Sequence, residues 1–243
     1  MGYNSHSLSF GLVLSQVDPQ LPSVVLAVLL LIFLAITAIL LCSKTRFYRS
    51  LLKDYKEGCY EALMKTVEAR NHVTEGHANR MQEMVSILAA ASGCTDKEIH
   101  DLRLLAQFHD IGKIGIPDHI LSKPGPLNEE EYCIMQRHCA IGYRIALSAP
   151  DLTHIADWIL KHHERWNGKG YPLGLKESEI PLACRILAVA DAYDAMTSDR
   201  PYRKAMDPEK AVNELIINAG TQFDPDLVIL FISCREKLNN IVF

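Results

Sequence analysis

The chain has 243 residues, of which 49% are hydrophobic, and a formal net charge of −4. This length and composition suffice for one sizeable core. The acidic balance argues against a nucleic-acid polymer as partner, because general nucleic-acid binding relies on a broad excess of Lys and Arg. The seven cysteines are scattered without a Cys-x-x-Cys pair, which predicts buried free thiols in a reducing compartment.

Residues 24–42 form an apolar segment that reads VVLAVLLLIFLAITAILLC and contains no charged residue. As a helix with a rise of about 1.5 Å per residue, this segment would span about 28 Å, close to the hydrocarbon thickness of a bilayer. It lacks the polar face of a helix that packs on a soluble core. Residues 1–23 lack the basic start of a cleaved signal peptide. We therefore predict one transmembrane helix at 24–42.

The charges that flank this segment predict its orientation. Five Lys and Arg residues lie between positions 44 and 56, whereas Asp18 is the only charged residue before the segment. Positive charge favours the cytoplasmic side, so residues 1–23 are predicted to form a short extracytoplasmic tail. The rest of the chain is then cytoplasmic, with a juxtamembrane helical linker at 43–59 and a soluble domain at 60–243.

Apolar residues recur at helical spacing from Phe47 to Ala69, which predicts a helix. This helix could act as a signalling or dimerising element between membrane and domain, or its second half could join the core of the domain. Two heptads are too few to identify a coiled coil, so both alternatives stay open.

The starts of further helices are visible as local motifs. Two residue pairs fit capping boxes, in which an N-cap residue and a Glu three positions later bond each other's backbone. Two Asp-Pro pairs place an N-cap before a Pro at the first helical position. These starts are Thr95 with Glu98, Asn128 with Glu131, Asp207-Pro208 and Asp224-Pro225. No alternating strand pattern of useful length is visible, so we predict an all-α domain of about seven to nine helices.

Histidine and aspartate residues that suit metal binding are spread along the domain. Imidazole and carboxylate together favour borderline divalent metals such as iron, manganese or zinc. The candidates are His77, His109, Asp110, His138, His162, His163 and Asp191. Seven ligands exceed the need of one ion, and they predict at least two metals that share a bridging carboxylate, an arrangement suited to displacement at phosphorus. Any one of the five histidines could instead be a hydrogen-bonded core residue. The five histidines and two aspartates together favour a metal site.

Cys139 follows His138 directly and could be argued as a further ligand. Neighbouring residues on a helix point about 100° apart, and a free Cys is usually buried as a small apolar side chain. Cys139 is therefore interpreted as a core residue.

Four sequence strings carry a family resemblance. They are HDIGKIGIPD at 109–118, ILSKPGPLNEEE at 120–131, HHERWNGKGYP at 162–172 and ADAYDAMTSDRPYR at 190–203. In this order they closely resemble the HD-GYP domain, a subgroup of the HD metal-dependent phosphohydrolases. The resemblance implies an HD-type multi-helix bundle that acts in bacterial signalling as a cyclic di-GMP phosphodiesterase. With the transmembrane helix, it places the protein in the bacterial cytoplasmic (inner) membrane, single-pass, with the catalytic domain in the cytoplasm.

The resemblance also implies a binuclear metal centre. One metal is held by the residues that match His77, His109, Asp110 and Asp191. The other is held by those that match His138, His162 and His163, with Asp110 bridging. Family members with three metals carry an extra Glu one turn before the first His, where this chain has Val73. Two divalent ions are therefore implied, iron or manganese, although the ligand types alone do not separate these from zinc or nickel.

The reaction implied by the resemblance is hydrolysis of a phosphodiester. A hydroxide that bridges the two metals would attack phosphorus and open cyclic di-GMP to pGpG, with GMP as the product of a second cut. The predicted catalytic residues are Asp110 and Lys113, and Lys113 would also contact the substrate phosphate. The further substrate-binding residues are Arg200 and Arg203, which suit phosphate, and Gly170, Tyr171 and Pro172, which form the GYP loop.

Two further positions near these motifs carry predictions. Asn167 stands where the family usually has Asp, and it keeps a turn-forming side chain but loses a charge. Asp194 lies one turn after Asp191, and it could orient a metal ligand or an Arg. A simple capping or surface role for Asp194 is equally open.

Two alternatives to this function are retained. The domain could be an HD-type phosphohydrolase that acts on another nucleotide or cyclic dinucleotide, or a non-catalytic cyclic di-GMP receptor whose GYP loop docks protein partners. The complete set of seven ligands favours the enzyme over the receptor. Homodimerisation through the transmembrane segment or the helix at 47–69 stays open.

Overall fold

A computed structural model of the chain describes residues 20–71, 76–199, 204–235 and 237. Its α-helices are α1 (Leu21–Asn71), α2 (His77–Ala91), α3 (Asp96–Phe108), α4 (Asp118–Leu121), α5 (Glu129–Ser148), α6 (Ala156–Lys161), α7 (Leu182–Thr197), α8 (Pro208–Ile217) and α9 (Pro225–Ser233). Short 3-10 helices cover Ile111–Gly115, Thr153–Ile155 and Glu177–Glu179. The described residues contain isolated bridges but no β-strand, so the predicted all-α fold is confirmed. Val73, Arg200 and Arg203 lie outside the described residues.

The chain divides into two compact units, residues 1–60 and 61–243. In the first unit, α1 runs through the apolar segment, where large side chains such as Leu31 and Phe33 are exposed. Within the described part of the chain, one helical stretch, Pro22–Val67, is long and apolar enough to cross a membrane, judged by length and composition alone. The segment predicted to span the membrane, 24–42, lies inside this stretch.

The last turns of α1 belong to the second unit and join its core. Met64 and Val67 are buried there. The Arg70 guanidinium donates hydrogen bonds to the carbonyl oxygens of Ile114 and Ile116, at 2.6 and 3.0 Å. Of the two alternatives for the helix at 47–69, these contacts support a core role for its second half.

The predicted helix starts are confirmed in detail. At α5, the Asn128 side chain accepts from the Glu131 amide and the Glu131 carboxylate accepts from the Asn128 amide, both at 2.8 Å. Thr95 and Glu98 form the same box at α3, and Asp207 and Asp224 cap α8 and α9 ahead of their prolines. The caps satisfy amides that a helix leaves unbonded at its start, so local sequence fixes where these four helices begin.

The core of the second unit is built by α2, which packs against α3 and α7, and by α5, which packs against α6 and the turn 111–115. This turn approaches α5 backbone to backbone. A Cβ added at Gly112 would lie 2.5 Å from the Gly142 nitrogen and 2.8 Å from the His138 carbonyl carbon. Only glycine allows this approach, which brings Asp110 beside His138.

Replacing Gly112 with Ala should therefore unfold the second unit at lower denaturant concentration. A clash with backbone cannot be relieved by a rotamer change, so we expect a loss of more than about 3 kcal/mol in the free energy of unfolding, measured by urea unfolding of the detergent-solubilised chain. Gly58→Ala is the matched control, because a Cβ at Gly58 meets no atom within 4 Å. Equal stability of the two variants would contradict the close approach.

Candidate metal centre

The predicted ligands come together in two neighbouring groups. The donor atoms of His77, His109 and Asp191 lie within 4.8 Å of one another. A second group with the same spacing contains His138, Cys139, His162 and His163. The two groups adjoin, because the ring centroids of His109 and His162 are 5.3 Å apart. The side chains that meet here come from the start of α2, the end of α3, the middle of α5 and α7, and the end of α6.

The Asp110 carboxylate lies between the two groups. Its Oδ2 is 3.5 Å from His109 Nε2, and its Oδ1 is 3.6 Å from His138 Nε2. Oδ1 is buried and has no hydrogen-bond partner among the described residues. A buried carboxylate oxygen without a donor is costly, and a cation bound beside it would satisfy it.

Backbone carbonyls set the orientation of three imidazoles. The Nδ1 atoms of His109, His138 and His162 each lie within hydrogen-bond distance of a carbonyl three residues earlier. The partners are Ala106 at 2.9 Å, Met135 at 2.8 Å and Ile159 at 2.7 Å, in that order. A carbonyl only accepts, so each Nδ1 donates and each neutral ring presents a lone pair at Nε2. The Nε2 atoms of His138 and His162 face each other at 3.3 Å, a geometry that suits a cation between them.

His77 is oriented by a carboxylate instead. Its Nδ1 donates to Asp194 Oδ2 at 2.6 Å, and Arg80 binds the same carboxylate through Nε to Oδ1 at 2.6 Å. Asp194 is only 1% exposed. Of the roles left open for Asp194, the structure supports the positioning of a ligand and an Arg over a surface role.

The electrostatics of the centre favour the protonation states in which these side chains can bind a metal. Burial, reinforced by the neighbouring histidines, holds the pKa of His162 and His163 well below the usual range, and burial also lowers the pKa of His138. Burial alone would raise the pKa of Asp110, but the charge of Lys113 holds it well below its usual range. Neutral imidazoles and an ionised carboxylate are the forms that bind metal.

Lys113 lies three residues after Asp110, on the 3-10 turn. Its Nζ is 2.6 Å from Asp110 Oδ2, so its ammonium offsets part of the buried charge. The structure thus places both predicted catalytic residues, Asp110 and Lys113, in direct contact.

A cavity of about 260 Å³ adjoins the predicted metal ligands. Its walls include ligands from both groups and side chains of the GYP loop and α5. The polar and aromatic wall residues include His163, Asp191, Tyr132, Tyr171, Arg165 and Gln222. The Tyr171 ring lies 4.9 Å from the His163 ring, and burial raises the pKa of its hydroxyl, which stays protonated.

Of the predicted loop residues, Tyr171 lines the cavity, Gly170 packs against residues 164–165 and Pro172 is exposed, and their substrate contacts stay predictions. A Cβ at Gly170 would lie 2.5 Å from the Glu164 Cα, so glycine is required for the loop to pack against 164–165. Asn167 Oδ1 accepts from the Lys169 amide at 3.0 Å, which confirms its turn-forming role.

Sequence reasoning missed Glu164. This buried carboxylate accepts hydrogen bonds from the amides of Leu173 and Leu175, at 2.7 and 3.0 Å. Because Glu164 directly follows the two histidines, these bonds hold the chain after the GYP loop next to them. Its signal in the sequence is an acidic residue placed directly between His162-His163 and a Gly-rich loop.

The thiols differ in part from the expectation. All seven cysteines are free, as predicted, but only Cys139 and Cys184 are buried. Cys139 is buried like a core residue, yet its Sγ lies 3.5 Å from His138 Nε2, inside the second group. The angle between neighbouring helix residues did not anticipate this contact, because a long imidazole can turn toward its neighbour.

The metal-free protein should lose stability as the pH falls below about 6.5, the pKa of an unperturbed histidine. His138, His162 and His163 have lowered pKa values, so the unfolded chain binds more protons in this range. His77 has a raised pKa and opposes them. We expect a net loss of at least about 1.4 kcal/mol per pH unit between about pH 6 and 5, measured by urea unfolding after chelation.

His162→Gln should flatten this pH dependence, because one suppressed proton site is removed. His100→Gln, at an exposed position on α3, is the control and should leave it unchanged. A pH-independent stability over this range would contradict the neutral, buried state of the cluster.

Comparison with known proteins places this geometry in a family. A family model described as HD domain matches residues 61–227. A cyclic di-GMP phosphodiesterase of Thermotoga maritima is 39% identical over 191 residues, covering 78% of this chain and 52% of the relative. A cyclic di-GMP phosphodiesterase response regulator of Xanthomonas campestris is 38% identical, over 74% of this chain and 48% of its own. A 3'3'-cGAMP-specific phosphodiesterase 2 of Vibrio cholerae is 36% identical, and the match covers 78% of this chain and 38% of the relative.

This chain spans about half the length of the first two of these relatives. Among solved structures, a cyclic GMP-AMP specific phosphodiesterase of Vibrio cholerae superposes with a TM-score of 0.57 at 22% identity, covering 74% of this chain and 50% of that chain. An HD-GYP-type protein from Bdellovibrio bacteriovorus superposes with a TM-score of 0.51 at 21% identity, covering 76% of this chain and 63% of that chain. These two share the fold, which confirms the predicted HD-type bundle. The family match and the four sequence strings establish that the chain belongs to the HD domain family, in its HD-GYP group.

Proposed function

We propose that this chain is a membrane-anchored, metal-dependent phosphodiesterase that hydrolyses cyclic di-GMP. The observation that carries the proposal is Asp110, whose two carboxylate oxygens face separate groups of ligand atoms. Members of both groups line a cavity. A centre of this kind suits displacement at phosphorus, and the named relatives act on cyclic dinucleotides.

The proposed centre holds two divalent ions. His77, His109 and Asp191 would bind one, His138, His162 and His163 the other, and Asp110 would bridge them. Iron or manganese is the expected metal, with zinc or nickel as alternatives. When bound, such ions supply Lewis acidity and lower the pKa of water, so that a hydroxide nucleophile exists near neutral pH.

The residues of the chain position the substrate and offset its charge. The Lys113 ammonium, beside Asp110, would bind a non-bridging phosphate oxygen and stabilise charge that develops in the transition state. Tyr171 and Tyr132 line the cavity and offer aromatic faces on which a base can stack. Arg200 and Arg203 remain predicted phosphate ligands from the sequence.

The cavity size limits what it encloses. Its volume of about 260 Å³ lies below the roughly 300–1,000 Å³ of pockets that bury most of a drug-sized ligand. One phosphodiester and a neighbouring group would enter, while the rest of the dinucleotide stays outside. Addition of one water across one P–O bond opens the ring to pGpG, and a second hydrolysis would yield GMP.

A second candidate substrate is 3'3'-cGAMP. A relative specific for it is 36% identical to this chain, against 39% for a cyclic di-GMP phosphodiesterase. These values are too close to separate the substrates. The receptor alternative is less favoured, because the complete ligand set is retained. Homodimerisation and docking of protein partners by the GYP loop stay predictions.

Hydrolysis by the detergent-solubilised full chain tests the enzyme. We expect the manganese- or iron-loaded wild type to convert cyclic di-GMP to pGpG. Chromatography measures the amount of product formed. Asp110→Asn and Lys113→Met should each reduce turnover by at least about 100-fold, the size of effect expected when charge stabilisation is removed. Asp157→Asn, which alters an exposed carboxylate on α6, should retain activity.

The outcomes separate the candidates. Faster turnover of 3'3'-cGAMP would favour the second substrate, and tight binding of cyclic di-GMP without hydrolysis by the metal-loaded protein would favour the receptor. If Asp110→Asn is as active as the wild type, the enzyme proposal is wrong.

The anchor is tested by fractionation of cells that express the chain. Leu31→Arg combined with Leu34→Arg should move the protein from the membrane to the soluble fraction, because each Arg near the centre of a span costs roughly 2.5–3.5 kcal/mol. Leu51→Arg with Leu52→Arg alters two exposed leucines beyond the apolar segment and should leave it in the membrane. Recovery of the wild type in the soluble fraction would rule out the anchor.

A further inference from the structure

The second ligand group contains a sulfur atom. Cys139 Sγ lies 3.5 Å from His138 Nε2, and it is within 4.8 Å of the donor atoms of His162 and His163. Cys139 is fully buried on α5, one residue after His138. Two neighbours on one helix therefore present donor atoms to the same place.

Two of the separations in this group fit donor atoms that bind one ion. With metal–nitrogen distances of about 2.0–2.1 Å and a metal–sulfur distance of about 2.3 Å, tetrahedral ligands lie about 3.4 Å (N to N) and about 3.6 Å (N to S) apart. The observed separations are 3.3 Å between His138 Nε2 and His162 Nε2, and 3.5 Å between His138 Nε2 and Cys139 Sγ.

The buried nitrogens point to a cation independently of the cysteine. Nδ1 of His138 and of His162 donates to a backbone carbonyl, so both Nε2 atoms carry lone pairs, and these lone pairs face each other. Both rings are at least 96% buried. Two lone pairs at 3.3 Å repel unless an electrophile lies between them, and a thiol at the same point adds a third donor.

We propose that Cys139 is a protein ligand of the ion held by His138, His162 and His163, and that this position prefers a thiophilic divalent ion such as zinc over manganese. The inference rests on the metal centre of the proposed function. Binding converts the thiol to a thiolate, and the proton passes to solvent as the metal–sulfur bond forms.

The two positions then differ in the hardness of their ligands. His77, His109 and Asp191 offer nitrogen and oxygen, which accept manganese or iron, whereas the second position adds sulfur, which selects softer ions. A single chain would thus load two different metals when both are supplied.

Cobalt binding to the stripped, detergent-solubilised full chain tests this ligand. Titration with Co²⁺ to two equivalents should produce a sulfur-to-cobalt charge-transfer band in the near ultraviolet. Cys139→Ser should lose the band and lower zinc affinity by more than about 100-fold, beyond the loss caused by removing a supporting group of a ligand, with manganese affinity unchanged. Cys184→Ser is the matched control, since this other buried thiol contacts the Trp158 carbonyl and lies outside the ligand groups.

The outcomes distinguish this inference from the proposed function. Cobalt binding without the band in the wild type, or a band that survives Cys139→Ser, would overturn the sulfur ligand while leaving the phosphodiesterase intact. Failure to bind cobalt at all would overturn both. If Cys139→Ser does not fold, X-ray absorption of zinc-loaded wild type and Cys184→Ser decides, because a sulfur neighbour at about 2.3 Å must be present in both.

Discussion

The Asp110 carboxylate is the constraint around which the second unit is organised. The carboxylate is largely buried, Lys113 contacts one oxygen, and the other oxygen is buried and has no hydrogen-bond partner among the described residues. The nearby imidazoles have lowered pKa values and so carry little positive charge to offset it. A bound cation would stabilise the carboxylate oxygen that Lys113 does not contact, so we expect metal binding and folding of this domain to be linked.

The fold holds the ligands mainly through its backbone. Three imidazoles are fixed by the carbonyl of the residue three positions earlier, in the preceding helix turn. Gly112 lets the Asp110 turn meet α5 directly, and Glu164 ties the GYP loop to the histidines at the end of α6. Backbone carbonyls, a close backbone approach and a loop anchor therefore contribute to the ligand geometry.

The sequence predicted what depends on local spacing or on a long matched string. The Asn128–Glu131 box involves residues three apart, so its hydrogen bonds follow from the sequence once a helix starts there. Glu164 bonds amides nine and eleven residues away, which depends on the path of the loop. The Cys139 contact depends on the rotamer of His138, and spacing along a helix does not determine rotamers. Arg200 and Arg203 lie outside the described residues, so their roles stay predictions.

Substrate choice in such a centre cannot come from the metal ligands. The ions held by these ligands would contact a phosphodiester, and this group is the same in every cyclic dinucleotide. Discrimination between bases requires polar groups that pair with base edges, because stacking on Tyr132 or Tyr171 tolerates any base, whereas an unpaired buried polar group is strongly penalised. Arg165 and Gln222 are wall residues of the cavity with such groups. A complete ligand set is therefore compatible with different substrates, and the walls of the cavity have to distinguish them.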